Sequence, residues 1–427
     1  MNIWIKESDE NGISEETIIS SLKKSLENRT IQNVLLVPPD YTRLNSKAGF
    51  ITNQYYHILK ERGCHVEIMP ALGSHMPMTE AEYREMFGTD IPLETFVVHN
   101  YKKDCKLLGC IESSFVEKVT AGQFSIEIPI ELNRIFFEKQ YDLIISIGQV
   151  VPHEELGFSN YSKNFFIGCG GYHTISETHL MGAIYGMERI MATEKNPLRH
   201  ILDLAYERYL TEFPILFVMT VTTAINENVH VHGIFIGEKR DSFEAAVEMS
   251  KKVNVYTLEK PIHKAIAYME PKEFKTSWLA NKALYRLRMA MEEGGELIVL
   301  APGMYQFGET KENDALIRKY GYCGKEALIK LYQENQDLQE NIPVAFHLIH
   351  GSVENRFTYT LAVKELSKMD IETVGYHYAN YDDVIKKYHI NVDTMKTGWI
   401  ITQEGEEVYF VEKPALGLWV YGNHAQI

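Results

Sequence analysis

Length, composition and charge restrict the classes of protein that this sequence can encode. The chain has 427 residues, 45% hydrophobic and 24% charged, which is typical of a globular protein with buried cores. Its formal net charge of −15 at pH 7 disfavours nucleic acids and anionic membranes as partners, because the long-range field repels polyanions. Any anionic ligand must therefore be held by a local basic site.

Cysteine usage and the start of the chain indicate the compartment. The five cysteines are odd in number and scattered, which favours reduced thiols over a disulfide framework. The first residues lack the basic head and apolar run of a secretion signal, and no stretch approaches the roughly 18 to 20 apolar residues of a membrane span. We therefore expect a cytoplasmic protein with no membrane partner and no nucleic-acid partner. The pattern does not indicate an oligomeric state.

The first part of the chain alternates strand and helix patterns. A β-branched and leucine-rich run at 31–37 ends at two prolines, a helical pattern at 46–63 ends in glycine, and a strand pattern begins at Cys64. This order predicts a βαβ unit and a mostly parallel sheet. Thr79 and Glu82 have the spacing of a capping box that opens the next helix.

Further elements are predicted up to the middle of the chain. Strand patterns occur at 141–148, 214–225 and 230–237, and an amphipathic helix is expected from Asp241 to about Val253. The stretch 273–295 has the pattern of a connecting helix that ends at a glycine pair.

A second alternation of strands and helices follows that connection. Strands are predicted at 296–303, 342–351 and 370–378, with helical runs at 312–335 and 356–369. The predicted fold class is α/β: two α/β domains with mostly parallel sheets and the active site in the cleft between them. We assign 1–272 to the N-terminal domain, rejoined by 401–427, and 273–400 to a smaller C-terminal domain.

Polar loops follow the predicted strands of the first domain. They are 38–43, 71–75 and 148–153, each directly after a strand pattern. Ligands bind at the carboxyl ends of strands in open parallel sheets, so these loops are expected to meet at one mouth. The residues brought together there would be Asp40, Arg43, His75, His153, Lys163 and His179.

These residue types suit recognition and turnover of a small acid. An arginine supplies a bidentate fork for a carboxylate, and two histidines supply acid–base groups near neutral pH. The alternative interpretations are structural: Asp40 and Thr42 form only a turn, Arg43 makes a surface ion pair, and His75 is a loop histidine with a satisfied ring. His173 and His179 lie six residues apart, which does not match the spacing of a metal-binding pair.

Taken in order, the residues resemble the motif of the lactate racemase family. Asp40 and Arg43 match its Asp-x-x-Arg, and His75 lies in a small-residue loop 32 positions after the arginine. Pro152 and His153 precede Gly-Phe-Ser, Lys163 follows ten residues after His153, and His179 follows sixteen further on. The resemblance covers roughly residues 30–185 by motif.

The resemblance implies a cofactor and a role for each matching residue. The cofactor is the nickel-pincer nucleotide, nickel pyridinium-3,5-bisthiocarboxylic acid mononucleotide, covalently tethered at Lys163. His179 would be the protein ligand of the nickel, His75 and His153 the paired acid–base groups, and Arg43 the clamp on the substrate carboxylate. The nucleotide contacts implied are Asp40, Thr42, Gly148 and Ser159.

Other positions are less directly implied. Tyr305 and Gln306 are candidate substrate contacts in the second domain, with the alternative that their loop packs the domain interface. His173 has no role in the family and is interpreted as structural. Asn160 and Tyr161 stand where lactate-type members have glycines, which suggests a larger hydroxylated substrate.

The expected function is that of a racemase or epimerase acting on a 2-hydroxy acid. It would invert C2 by hydride transfer to and from the cofactor through a 2-keto acid, with a small-molecule 2-hydroxy acid as its partner. Within this class, a 2-epimerase of a sugar acid such as gluconate is the alternative. From other classes, the alternatives are a zinc hydrolase using His153, His173 and His179, and a non-catalytic sensor of hydroxy acids.

Overall fold

The computed structural model describes residues 2–7, 11–225 and 228–422. The chain forms two compact units, Met1–Thr178 with Ile190–Asn254, and His179–Arg189 with Val255–Ile427. Within the described ranges, every helix is too short or too polar to cross a bilayer.

The first unit alternates strands with helices along the chain. Its strands are β1 (Ile3–Lys6), β2 (Asn33–Val37), β3 (His65–Ile68), β4 (Cys105–Ile111), β5 (Ile128–Asn133), β6 (Leu143–Gln149), β7 (Pro152–His153), β8 (Gly157–Phe158), β9 (Ile215–Ile225) and β10 (Asn228–Gly237). Its helices are α1 (Glu15–Ser25), α2 (Ala48–Glu61), α3 (Glu80–Phe87), α4 (Ser113–Val119), α5 (Ile135–Glu138), α6 (Ser162–Phe166), α7 (Tyr172–Tyr185), α8 (Pro197–Tyr209) and α9 (Arg240–Asn254). The residues of α7 from His179 onward are counted with the second unit.

The main sheet of the first unit is mostly parallel, as predicted. Its strand order is β1-β10-β9-β6-β2-β3. β2 pairs in parallel with β3 and with β6, and β6 pairs in parallel with β9. Only β10 and β1, at one edge, run antiparallel to their neighbours. Every residue of β6 is buried, which explains why its sequence is a continuous apolar run rather than an alternating one.

Several local predictions in the first unit are confirmed. The strand, helix and strand predicted from residue 31 are β2, α2 and β3. The capping box at the start of α3 is present, with the Thr79 hydroxyl accepting from the Glu82 N–H and the Glu82 carboxylate accepting from the Thr79 N–H. The helix predicted from Asp241 is α9.

The second unit is built around its own sheet. Its strands are β11 (Val255–Thr257), β12 (Ile262–Tyr268), β13 (Met291–Leu300), β14 (Thr358–Val363), β15 (His377–Asn380), β16 (Gly398–Ile401), β17 (Glu407–Val411) and β18 (Leu418–Val420). Its helices are α10 (Ser277–Ala280), α11 (Lys282–Leu287), α12 (Lys311–Tyr320), α13 (Lys325–Glu334), α14 (Gln336–Gln339), α15 (Ile342–Gly351), α16 (Lys368–Thr373) and α17 (Tyr381–Tyr388). The sheet order is β15-β14-β13-β12-β17-β16, parallel except for the β16–β17 pair.

The C-terminal segment joins the second unit. β17 pairs with β12, and β18 pairs with β11, and both of these partner strands lie within the range 1–272 assigned from the sequence to the N-terminal domain. The apolar strand β17 has its partner in the parallel sheet beside β12, which fixes it there. The domain limits 1–272 and 273–400 stay a prediction; by compactness, the second unit already includes Val255.

Four secondary-structure predictions in the second unit are wrong. Residues 342–351 form a helix, α15, and not a strand; all ten of its residues are buried, so no polar face reveals the helical period. Residues 358–363 form strand β14 inside a run predicted as helical. The glycine pair expected to end a helix lies within strand β13, where the pairing with β12 is irregular. In addition, the strand predicted at 370–378 begins as helix α16.

The packing of α2 on α3 depends on Gly49. A Cβ atom at this position would lie 1.9 Å from the carbonyl oxygen of Met86. We predict that Gly49→Ala lowers the free energy of unfolding by about 1–3 kcal/mol, because the two helices must move apart to admit the methyl group. Urea denaturation of the variant beside Glu61→Ala, an exposed position on the same helix, checks this. Equal stability of the two variants would show that α3 adjusts without cost.

Candidate functional site

The loops after β2, β3 and β6 meet at the carboxyl edge of the main sheet. The Ala71 N–H donates to the Pro38 carbonyl at 2.8 Å, which ties the loop after β3 to the loop after β2. The Gly73 N–H donates to the Gly168 carbonyl at 2.8 Å, and the Asn164 amide donates to the last carbonyl of β2 at 3.1 Å and to a hydroxyl of β6 at 2.9 Å. The predicted convergence of these loops is confirmed.

Asp40 and His75 form a hydrogen-bonded pair at this edge. Asp40 is buried, and its Oδ2 lies 2.6 Å from Nδ1 of His75. Its Oδ1 accepts from the N–H and the hydroxyl of Thr42, at 3.2 and 2.6 Å, and so caps the 3-10 turn Tyr41–Ser46. The turn interpretation of Asp40 is therefore correct for one oxygen only. The other oxygen orients the His75 ring, and a carboxylate there places the proton of the neutral ring on Nδ1.

Arg43 follows in the same turn with a non-helical backbone. Within the part of the chain that the structure describes, its guanidinium has neither a hydrogen-bond acceptor nor a carboxylate partner, so the surface ion pair considered from the sequence is not formed. Its charge acts on Lys163, whose pKa it lowers. Two cationic groups thus lie in one another's field, which is an arrangement suited to an anionic ligand.

Lys163 is the second residue of α6 and is partly buried. Burial is the main cause that lowers the pKa of its amine from 10.5 to about 8, and Arg43 adds to it, while Glu155 and Glu154 act in the opposite direction. No hydrogen bond to this amine is found among residues 2–7, 11–225 and 228–422. A lysine with these properties is a usable nucleophile near neutral pH.

His153 is held by a small two-stranded element. It lies in β7, pairs with Gly157 of β8, and is buried. The Glu155 N–H donates to its Nδ1 at 3.3 Å, so the neutral ring carries its proton on Nε2. When both rings are neutral, these contacts favour opposite tautomers of His75 and His153. Gly157 has a φ of +77°, and a Cβ there would lie 1.7 Å from the Thr193 carbonyl oxygen, so this position requires glycine.

Gly148 and Ser159 lie on the same side of the sheet edge. The Ser159 hydroxyl donates to the Gln149 carbonyl at 2.8 Å and accepts from the Val151 N–H at 3.1 Å. A Cβ at Gly148 would lie 3.1 Å from Nδ2 of Asn160. Both residues thus stabilise the loop that follows β6. The prediction that they bind a nucleotide stays a prediction.

Asn160 and Tyr161 adopt the backbone conformation that glycine adopts most easily. Their φ angles are +70° and +59°. The Asn160 Oδ1 accepts from the N–H of Tyr161 at 2.6 Å, and the Tyr161 ring packs on Phe217 and Phe243 with centroid distances of 4.8 and 5.3 Å. The strain of two left-handed residues is offset by packing. Because the Tyr161 ring lies in this core, it is not available to line a larger substrate pocket.

The remaining predicted site residues lie in the second unit. His179 is buried, with its ring centroid 5.0 Å from that of Phe346. Tyr305 is 53% exposed, and Gln306 forms a parallel bridge with Thr276. Their roles stay predictions.

His173 is bound to a carboxylate rather than to other histidines. Its Nδ1 lies 2.9 Å from Oε1 of Glu131, and its N–H donates to the other carboxylate oxygen at 2.9 Å. Across the described ranges, no group of three or more His, Cys, Asp or Glu residues is placed to hold a metal ion.

Arg199 was not predicted from the sequence. It is fully buried, and its guanidinium binds the segment that lies between His153 and Lys163. The only available signal was its place in the first turn of α8, two residues after Pro197 of the Asn-Pro sequence at the start of this helix. An arginine near a helix N-terminus is unfavourable for the helix dipole and so is unusual.

The fold and the site together define a class: an α/β protein with acid–base and basic side chains at the carboxyl ends of parallel strands. Residues 5–190 match the family model of the lactate racemase N-terminal domain. The resemblance read from the motif is thereby confirmed. The match supports a racemase-type function.

Solved structures share the fold over nearly the whole chain. A protein from Thermotoga maritima has a TM-score of 0.84 at 24% identity, covering 98% of this chain and 100% of its own. The lactate racemase apoprotein from Thermoanaerobacterium thermosaccharolyticum has a TM-score of 0.67 at 17% identity, again covering 98% and 100%. No curated protein matches the sequence.

The lowered pKa of Lys163 predicts its reactivity. In cofactor-free protein, the labelling rate of Lys163 by acetic anhydride should reach half its maximum near pH 8, whereas in denatured protein the midpoint should return towards 10.5. The unfolded chain keeps the proton of Lys163 to higher pH than the folded chain. The contribution of Lys163 to the free energy of unfolding therefore rises with pH between about 8 and 10.5. Peptide mass spectrometry measures the labelling. A midpoint near 10 in folded protein would show that the amine is solvated.

Proposed function

We propose that the protein is a racemase or epimerase that inverts C2 of a 2-hydroxy acid with a nickel-pincer nucleotide. The observation that supports it most is the placement of Asp40–His75, Arg43 and Lys163 at one sheet edge, in the order of the family motif. The family match over residues 5–190 supports the same class of reaction.

The residues of the chain fit what this cofactor requires. Lys163 has a nucleophilic amine for a thioamide tether, with its pKa lowered to about 8 by burial. The family motif assigns the nickel ligand to His179, and Asp40, Thr42, Gly148 and Ser159 would contact the nucleotide. Since this cofactor needs one protein ligand for its metal, a cluster of three is not required. When bound, the group would supply reversible acceptance of the hydride from C2.

Arg43 binds and orients the substrate. A guanidinium can hold both oxygens of a 2-hydroxy acid carboxylate in its plane, which leaves C2 and its hydroxyl to be directed by the rest of the site. Because no carboxylate of the described chain pairs with it, Arg43 need not give up an ion pair to do so. Binding of an anion also offsets the charge of the neighbouring Lys163 position.

His75 and His153 move the hydroxyl proton. With Nδ1 bonded to Asp40, His75 has its lone pair on Nε2 and is set to accept the hydroxyl proton of one enantiomer as the hydride leaves C2. The product is a planar 2-keto acid, and return of hydride and proton restores the alcohol. For the other enantiomer His153 is the base, and it acts from the tautomer that gives up the Glu155 hydrogen bond. Two faces of one carbon require two bases, which a sensor would not need.

Enantiopure substrates test the reaction. Holoenzyme incubated with each enantiomer of short 2-hydroxy acids, and with gluconate, should give the C2-inverted product by chiral chromatography for one of these groups. Inversion of gluconate but not of short acids would assign the sugar-acid epimerase, and the reverse would assign the racemase. No inversion with any substrate, in protein that carries the cofactor, would contradict the proposal.

Single histidine variants test the division of labour. His75→Asn and His153→Asn should each lower kcat for inversion about 10²- to 10⁴-fold, since each removes one general base. His173→Ala is the control and should retain activity, because its contact to Glu131 lies outside the proposed chemistry. Loss of activity in His173→Ala with zinc in the purified protein would favour the hydrolase instead.

A further inference from the structure

The buried guanidinium of Arg199 is bonded to one segment of chain. Its Nη1 donates to the Asn160 carbonyl at 3.1 Å and to the Ser162 hydroxyl at 3.1 Å. Its Nη2 donates to the Phe158 carbonyl and, at 3.5 Å, to the Leu156 carbonyl. Every one of these acceptors lies within 156–162, which begins three residues after His153 and ends one residue before Lys163.

The charge of Arg199 has no carboxylate partner within the part of the chain that the structure describes. Burying a cation costs several kcal/mol unless its hydrogen bonds and a counter-charge replace the lost water. Here the compensation comes from carbonyl dipoles of the 156–162 segment and from the Phe243 ring, 4.8 Å from the guanidinium carbon. An apolar side chain would fill the same space at lower cost, so packing alone does not account for an arginine.

The same segment is held from the other side. The Ser162 hydroxyl donates to Oδ1 of Asp203 at 2.6 Å, and Asp203 pairs with Arg240. The Ala192 N–H donates to the Gly157 carbonyl at 3.0 Å. Three residues of the segment have a positive φ, Gly157, Asn160 and Tyr161, and the last two are not glycines. A strained loop of this kind persists only where its surroundings determine it.

We propose that Arg199 is a positioning residue that holds the 156–162 segment so that His153 at one end and Lys163 at the other keep the geometry their chemistry needs. The inference rests on the proposed function only for the roles of those two residues. Arg199 is fully buried, and it acts through carbonyl groups of the loop and through the Ser162 hydroxyl. Its charge also contributes to the lowered pKa of Lys163.

The test uses Arg199→Met and Arg199→Lys. In cofactor-free Arg199→Met, we expect the pH midpoint of Lys163 labelling to rise and the labelling rate at pH 8 to fall about two- to fivefold, because the amine gains solvent and loses a neighbouring charge. In loaded enzyme, kcat should fall about tenfold or more with KM changed little. Arg199→Lys should not restore kcat, since one ammonium group cannot reach the acceptors of both Arg199 nitrogens.

Two controls separate positioning from general stability. Arg208→Gln removes an exposed arginine of the same helix that pairs with Glu112, and it should leave the Lys163 midpoint unchanged. Gly49→Ala lowers stability through the contact of α2 with Met86 of α3, and should also leave the midpoint unchanged. A folded Arg199→Met protein with the parent midpoint would overturn the proposal.

If Arg199→Met does not fold, a smaller substitution at Ser162 tests the same proposal. Ser162→Ala removes the hydroxyl between Arg199 and Asp203, and should move the Lys163 midpoint upward, whereas Ser162→Thr keeps the hydroxyl and should not. Equal midpoints for Ser162→Ala and the parent would overturn the proposal. Labelling is measured without cofactor, so it stays informative if the proposed reaction is not found.

Discussion

Parallel pairing of β2 with β3 on one side and β6 on the other is the constraint on which the site depends. It brings the carboxyl ends of three strands to one edge, where a backbone hydrogen bond of 2.8 Å from Ala71 to Pro38 joins the loops after β3 and β2. Asp40 and His75, 35 residues apart in sequence, meet there at 2.6 Å. Candidate site residues that are more than a hundred positions apart in sequence are thus brought together by the topology of the sheet.

Unpaired positive charge is the second feature of this edge. Arg43 has no carboxylate partner in the described chain, Lys163 is depressed in pKa by burial, and Arg199 is buried on carbonyl groups. The chain as a whole has a net charge of −15, so three positive side chains without carboxylate partners among the described residues are not expected from its overall composition. Burial of the charges of Lys163 and Arg199 costs stability. This cost in stability is consistent with the proposed function, in which the positive charge attracts an anionic substrate and burial keeps the lysine reactive.

Much of this could be predicted from the sequence, for identifiable reasons. β2, α2 and β3 have clear patterns and clear stops, and the residues after strand ends could be placed at one mouth because parallel topology leaves little choice. Helix α15 could not be recognised, since a fully buried helix carries no polar face. The pairing of β17 with β12 and the bonds of Arg199 depend on contacts distant in sequence, which no local pattern encodes.

We propose that Lys163 carries the cofactor, and the intact mass of the protein tests this tether most directly. Protein purified from cells that make the pincer nucleotide should show an added mass of nucleotide size together with nickel, and Lys163→Ala from the same cells should show neither the adduct nor retained activity. A parent protein of unmodified mass and without nickel, from cells in which a known pincer enzyme is loaded, would contradict the account.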